Sequence, residues 1–159
     1  MSWLIGMAAP DITFRDTSDV LLPSTVDFGT VPVGGQSSTR RWRIWNNYAQ
    51  ASNIADAIQC ALGCHDQGAS NHEDWTLTPA AGWAYVRNYS YDGVGTPDPS
   101  FSNVYGATRL AMVYNSQIIQ GSGAGVERHY WEIEIYMRVP AGATQGTKTF
   151  SICLRYSYT

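Results

Sequence analysis

From Tyr130 to Val139 the side chains alternate without a break. Trp131, Ile133, Ile135, Met137 and Val139 fall on one side, and Glu132, Glu134, Tyr136 and Arg138 on the other. Only an extended strand places every second residue on one face, so this stretch predicts a strand with one apolar and one polar side. Thr147 to Tyr158 repeats the pattern: Phe150, Ile152, Leu154, Tyr156 and Tyr158 alternate with Thr149, Ser151, Cys153, Arg155 and Ser157. Between them lies Pro140-Ala-Gly-Ala-Thr-Gln-Gly146, where proline ends pairing and the glycines carry the connection. The two segments are expected to lie close together, in one sheet or in facing sheets.

Upstream, Thr39 to Asn46 alternates again, with Trp42 and Ile44 opposite Arg41, Arg43 and Trp45. Ile12 and Phe14 mark a first strand, Val26 and Phe28 a second, and Trp75 and Leu77 a short one; Trp83–Tyr91 and Thr108–Tyr114 are less regular strands. Asn53 to Cys64 fits a helical stripe through Ile54, Ala57, Ile58, Ala61 and Leu62. Its turn-rich flanks and the strands around it favour a strand with an irregularity. Two long loops are expected, over Asp66–Asp74 and Asp92–Gly106. Short strands separated by turn signals imply an all-β antiparallel sandwich. At 159 residues the chain is long enough for one core, so residues 1–10 are read as an arm and 11–159 as one domain.

Composition narrows the function. Apolar residues make up 44% of the chain and charged ones only 14%, so much of the surface is neutral and suited to being covered by a partner. The net charge of −3 and the brevity of the one basic cluster, Arg40, Arg41 and Arg43, set nucleic acid aside. The opening Met1-Ser-Trp-Leu-Ile-Gly-Met-Ala-Ala-Pro10 is apolar but too short to span a membrane, and it lacks the basic start of a signal peptide. Such an arm docks on its own core or on a neighbouring subunit, which makes Trp3, Leu4 and Ile5 contact candidates. Cys60, Cys64 and Cys153 are an odd count at irregular spacing, read as reduced thiols of a protein made in the cytosol.

Asp27-Phe-Gly-Thr-Val-Pro-Val-Gly34, followed by Ser37-Ser-Thr-Arg-Arg-Trp-Arg-Ile-Trp-Asn46, resembles the opening of ASH-type immunoglobulin-like domains. Trp42, Ile44 and Asn46 fill that group's strand-ending pattern, and the last two strands with their Pro140-Ala-Gly connection are also like it. The resemblance covers the two ends of the chain and implies an immunoglobulin-like sandwich serving as a binding or assembly module. The apolar arm, the Arg-Ile-Trp-Asn-Asn run, the few charges and the cysteines further resemble small virion proteins of tailed phages. That likeness implies a decoration (cement) protein on the head shell, located in the virion. Its partner would be the major capsid protein or another virion protein, and it would be a homo-oligomer, a trimer being one form. The alternatives are a tail or baseplate accessory protein and a carbohydrate-binding module.

Chemistry-bearing residues are few. Cys60, Cys64 and His65, with His72 nearby, could ligate zinc, but a fourth ligand is not evident and two core thiols explain them as well. Glu132 and Glu134 read as an exposed carboxylate pair without the apolar pocket a glycosidase needs. Arg41 and Arg43 could meet them across paired strands or across an interface. The glycine-rich Gly121-Ser-Gly-Ala-Gly125 precedes a strand rather than a helix, which suits a hairpin tip and not a phosphate loop. Asp92 and Asp98 could contribute to a calcium loop, and Asn88-Tyr-Ser90 is a glycosylation sequon within a predicted strand. No enzyme, metal or cofactor is expected. The interface candidates are Trp3, Leu4, Ile5, Arg41, Arg43, Trp45, Tyr48, Glu132, Glu134 and Tyr136; Trp45, on the polar side of its strand, is the sharpest of them.

Overall fold

The computed structural model describes residues 7–66, 83–104, 109–121, 129–143, 146–147 and 150–158, the side chains of His65 and Asp66 excepted. Its strands are β1 (Ile12–Asp16), β2 (Arg40–Asn46), β3 (Ile58–Asp66), β4 (Ala84–Tyr91), β5 (Ser102–Asn103), β6 (Leu110–Ala111), β7 (His129–Met137) and β8 (Phe150–Ser157). They form two antiparallel sheets, ordered β1-β2-β7-β4-β5 and β6-β3-β8, packed as a sandwich. The larger sheet has the strand order A-B-E-D of the immunoglobulin arrangement, and β3-β8 has that of its C-F pair. The seventh strand, G, which flanks F there, has no counterpart among the described residues.

The alternation decides which residues meet between the sheets. Trp42 and Ile44 of β2, Val86 of β4, and Trp131, Ile133 and Ile135 of β7 face Cys60, Leu62 and Cys64 of β3. Ile152, Leu154 and Tyr156 of β8 pack against this core while remaining partly exposed. β7 and β8 therefore belong to facing sheets, and both extend over the segments that alternate in sequence.

Asn46 closes one end of the sandwich. Its amide donates to the carbonyls of Ala55 (2.9 Å) and Ile119 (3.0 Å), and its Oδ1 accepts the Asp11 N–H at 3.0 Å. A fully buried amide is tolerated because three backbone groups satisfy it. Nearby, Ala8 donates to Asn53 and accepts from Ala55, so the part of the arm just before Pro10 docks on its own chain. At the other end, Asp27 Oδ1 accepts the Gly29 N–H at 2.7 Å, and Gly29 takes the positive φ of 79° that this turn requires. Gly34 then donates to Val139, and Val139 to Gly35, tying the turn to the end of β7.

Three expectations change and one holds. Val26 and Phe28 do not form a strand; they lie in irregular chain held by their side chains, with Phe28 against Trp42 at 5.9 Å. The irregular strand expected within 53–64 is present from Ile58 as β3, where a bulge between Ile58 and Ala61, with Gln59 at φ 56°, supplies the irregularity. Of the described residues 109–114 only Leu110–Ala111 is strand, and the turn after it is a 3₁₀ helix at Asn115–Gln117. The loop after Asp92 is not bare: it contains β5 and is pinned by fully buried Val104. The arm's Trp3, Leu4 and Ile5, the Trp75–Leu77 strand, most of the Asp66–Asp74 loop, His72 and most of the glycine-rich tip lie outside the described residues.

Candidate functional site

The outer face of the larger sheet carries most of the nominated residues, and register explains how they meet. Arg41 of β2 sits opposite Glu134 of β7, and Glu134 opposite Arg87 of β4. One carboxylate therefore stands between two guanidiniums in a single row. Arg41 Nη2 lies 2.9 Å from Glu134 Oε1, and Arg87 Nη2 lies 2.6 Å from Oε2. One row along, Arg43 faces Glu132, with Nε 3.9 Å from Oε1. Arg43 also pairs with Asp19 at 2.9 Å, and Ser90 donates to Glu132 at 2.8 Å. Ser90 reaches that position because a bulge lets Tyr89 and Ser90 together oppose Glu132.

Aromatic rings roof these ions. The Arg41 guanidinium lies 3.5 Å from the Tyr89 ring centroid, Arg15 lies 3.4 Å from Tyr48, and Arg87 lies 4.7 Å from Phe101. Trp45 meets Tyr48 edge-on at 5.2 Å and Tyr130 at 4.5 Å. Tyr136 stacks on Tyr85 at 5.1 Å and touches Phe101 at 4.8 Å. Each cation–aromatic contact is worth about 0.5–1 kcal/mol when exposed, so the lattice is a set of modest contacts around one stronger ion row.

Burial overturns part of the sequence reading. Glu132 and Glu134 are not an exposed pair: they are 4% and 8% exposed. Trp45 is 6% exposed beneath Tyr48 and Tyr130, so it is not a free contact residue. Arg41 and Arg43 meet the carboxylates across paired strands of the same chain. Tyr48 and Tyr136 stay half-exposed at the margin of the lattice.

Titration follows the geometry. For Glu134, burial works to raise the pKa, but the hydrogen bonds and charges of Arg41 and Arg87 outweigh it and hold the carboxyl below the usual glutamate value. Burial likewise opposes the charge on Arg41 and Arg43. The Glu134 bond to Arg41 and the Asp19 bond to Arg43, with nearby carboxylates and tyrosines, still leave both guanidiniums above their ordinary value.

The other candidates have structural partners. Cys60 and Cys64 are buried on the inner side of β3; burial pushes the Cys60 thiol up to about 11, and Cys60 donates to the Ala57 carbonyl. Asp92 accepts from the Tyr130 N–H at 2.8 Å and contacts His129 Nδ1 at 2.7 Å, while Asp98 accepts from the Asn88 amide at 2.8 Å. Asn88 is fully buried, so the sequon is inaccessible in the fold. Among the described residues no group of three or more His, Cys, Asp or Glu is placed to hold a metal, and no helix is long and apolar enough to cross a membrane.

The outer face of the smaller sheet is of another kind. Ala61 pairs with Arg155 and Ala111, and Gly63 with Cys153. Apart from Arg155 these side chains are small and neutral, and no ion pair between described residues lies on this face. In sequence β8 alternates aromatics and aliphatics with Ser151, Cys153, Arg155 and Ser157, which gave no reason to compare the two outer faces. No protein-family model matches the chain, and no curated protein matches it.

Proposed function

We propose that this chain is a non-enzymatic structural module that works by binding other protein surfaces, and that its setting is a virion, as a decoration protein on a phage head. The observation that carries the first part is the engagement of the chemistry-bearing side chains. Glu132 and Glu134 are buried under arginines, Asp92 and Asp98 anchor loops, and Cys60 and Cys64 are core. Groups locked in this way stiffen a scaffold; a catalytic pair needs a cleft and a substrate-facing proton. The virion setting rests on the resemblance and on the low charge of the chain. Exposed Val20, Leu21 and Val33 add apolar surface near the turn that ties β2 to β7. A tail or baseplate position remains the alternative within the same class.

Co-sedimentation of the purified protein with phage heads stripped of their decoration layer tests the reading. Saturable binding at a fixed ratio to the shell protein is expected; no binding to heads, with binding to tails, would move the protein to the alternative. A second reading, glycan binding, is favoured by the half-exposed cluster of Tyr85, Tyr136 and Phe101. A glycan array positive for the protein and silent for Tyr136→Ala would establish it.

A further inference from the structure

We propose that residues 23–33 form a strap that opens as a unit while both sheets stay folded, and that opening frees a slot for an aromatic side chain of a partner protein. The inference deepens the assembly reading and rests on it only in treating the chain as a module that binds protein surfaces. It does not depend on the virion setting.

The segment lies in the connection from β1 to β2 and is fixed at both ends. Leu22 donates to the Phe14 carbonyl of β1 at 2.9 Å, and Gly34 donates to the Val139 carbonyl, just past β7, at 2.9 Å. Between these anchors the chain is irregular, and it passes through Pro23 and Pro32, which have no N–H to give to a ladder. Val26, Phe28 and Val31 are half-buried, and every other residue from 23 to 33 is exposed. Few buried apolar contacts and an exposed backbone mark a unit that opens at less cost than global unfolding.

Val26 packs against the core, but the clasp of the strap is Phe28. Its ring meets Trp42 of β2 at 5.9 Å, tilted by 55°, and the Arg40 guanidinium lies 4.9 Å from the centroid of the same ring. Arg40 Nη2 also donates to the carbonyl of Asp27, whose Oδ1 accepts the Gly29 N–H, so the turn around Phe28 is closed from both sides. Trp42 is 5% exposed beneath this cover and is part of the sandwich core. Arg40 and Trp42 both sit in the ladder between β2 and β7, opposite Ile135 and Ile133, so they stay in place when the strap lifts. An indole and a guanidinium held on one strand thus form a slot, and its present occupant shows what fits: one aromatic ring with an aromatic and a cationic neighbour. A partner that supplies such a ring shifts the population toward the open strap, as a ligand does at a cryptic site. Aromatic anchors seated in pockets are also what dominate affinity between proteins.

Native-state proteolysis of the full chain tests the opening, and a peptide added in trans tests the slot. Chymotrypsin cuts after Phe28 only when the ring has left Trp42, so the rate of that cut, followed by mass spectrometry, tracks the open population. In wild type the rate is expected to stay flat in urea below the unfolding transition, because opening exposes little surface. Arg40→Ala is expected to raise it at least about threefold. A rate that climbs with urea along the slope of global unfolding would overturn the strap, and so would a rate that Arg40→Ala leaves unchanged. For the slot, Phe28→Ala removes the occupant in cis. A synthetic peptide of residues 22–34, which contains no tryptophan, should change the tryptophan emission of that variant saturably, and the same peptide carrying Phe28→Ala should not. Binding of neither peptide, or of both alike, would overturn the slot. Failure to bind phage heads with both results as expected would sink the virion reading alone.

Discussion

The two outer faces of the sandwich are built on opposite plans. On the larger sheet Arg41, Glu134 and Arg87 form a row of charges roofed by Tyr89 and Phe101. On the smaller sheet Ala61, Gly63, Ala111 and Cys153 present little beyond backbone and small side chains, with Arg155 beside them and no ion pair between described residues. The charges of the first face are met largely within the chain, so they have little left to offer a partner. The second asks little of a partner in desolvation, because burying small neutral groups costs less than burying charge.

The sharpest way to break this contrast is to remove the centre of the charged row. Glu134→Ala leaves Arg41 and Arg87 facing each other beside a buried site. Loss of one partner of a buried ion pair costs about 3–5 kcal/mol, and the partial exposure of both arginines moves the expected value to about 2–3 kcal/mol. Urea denaturation at pH 7 would show it as a lower midpoint at unchanged slope. A loss under 0.5 kcal/mol would mean that the row is surface decoration.

Acid should reproduce part of that loss in the wild type. Glu134 has a lowered pKa in the fold, so between that value and the ordinary glutamate value of about 4.3 the unfolded chain binds more protons than the folded one. Its contribution is therefore fully present above about pH 4.3 and disappears as the pH falls through the depressed folded value. Thermal melts from pH 7 to pH 3 should fall more steeply for wild type than for Glu134→Gln, and parallel curves would assign the acid sensitivity elsewhere.

A smaller effect is expected at the next row. Glu132→Gln keeps the acceptor for Ser90 but gives up the charge facing Arg41 and Arg43, whose nearest approaches are 4.0 and 3.9 Å. At those distances the pairs are not hydrogen bonds, so about 1 kcal/mol is expected, again from the urea midpoint.

How far the sequence could show this is instructive. Period-two patterning located β2, β7 and β8 and assigned inner and outer sides correctly at every residue from Trp131 to Met137. The same patterning misread Glu132 and Glu134, because alternation says which side of a sheet a residue is on and not what lies above it. Their cover comes from Arg41 and Arg43 on one neighbour and from a bulge at Tyr89 and Ser90 on the other. A bulge shifts register by one residue and leaves no mark in a hydrophobic pattern. Trp45 was misjudged for a related reason: its roof includes Tyr48, beyond the strand's end, where Asn47 turns the chain with φ 58°. Val26 and Phe28 alternate like a strand but lie between Pro23 and Pro32, and their contribution is side-chain packing without a ladder.

The smallest stability effect tests the other half of the comparison. Ser151→Lys and Ser157→Lys place charges along the outer face of β8, away from the core. Surface substitutions of this kind change stability by about 0.5 kcal/mol or less. Ser157 donates to Gln59 at 3.3 Å, a long and exposed bond whose loss fits within that range. The double variant should therefore melt within a few degrees of wild type, as a thermal scan would show. A much larger loss would mean that the outer face of β8 helps to hold the fold and is not a bare surface.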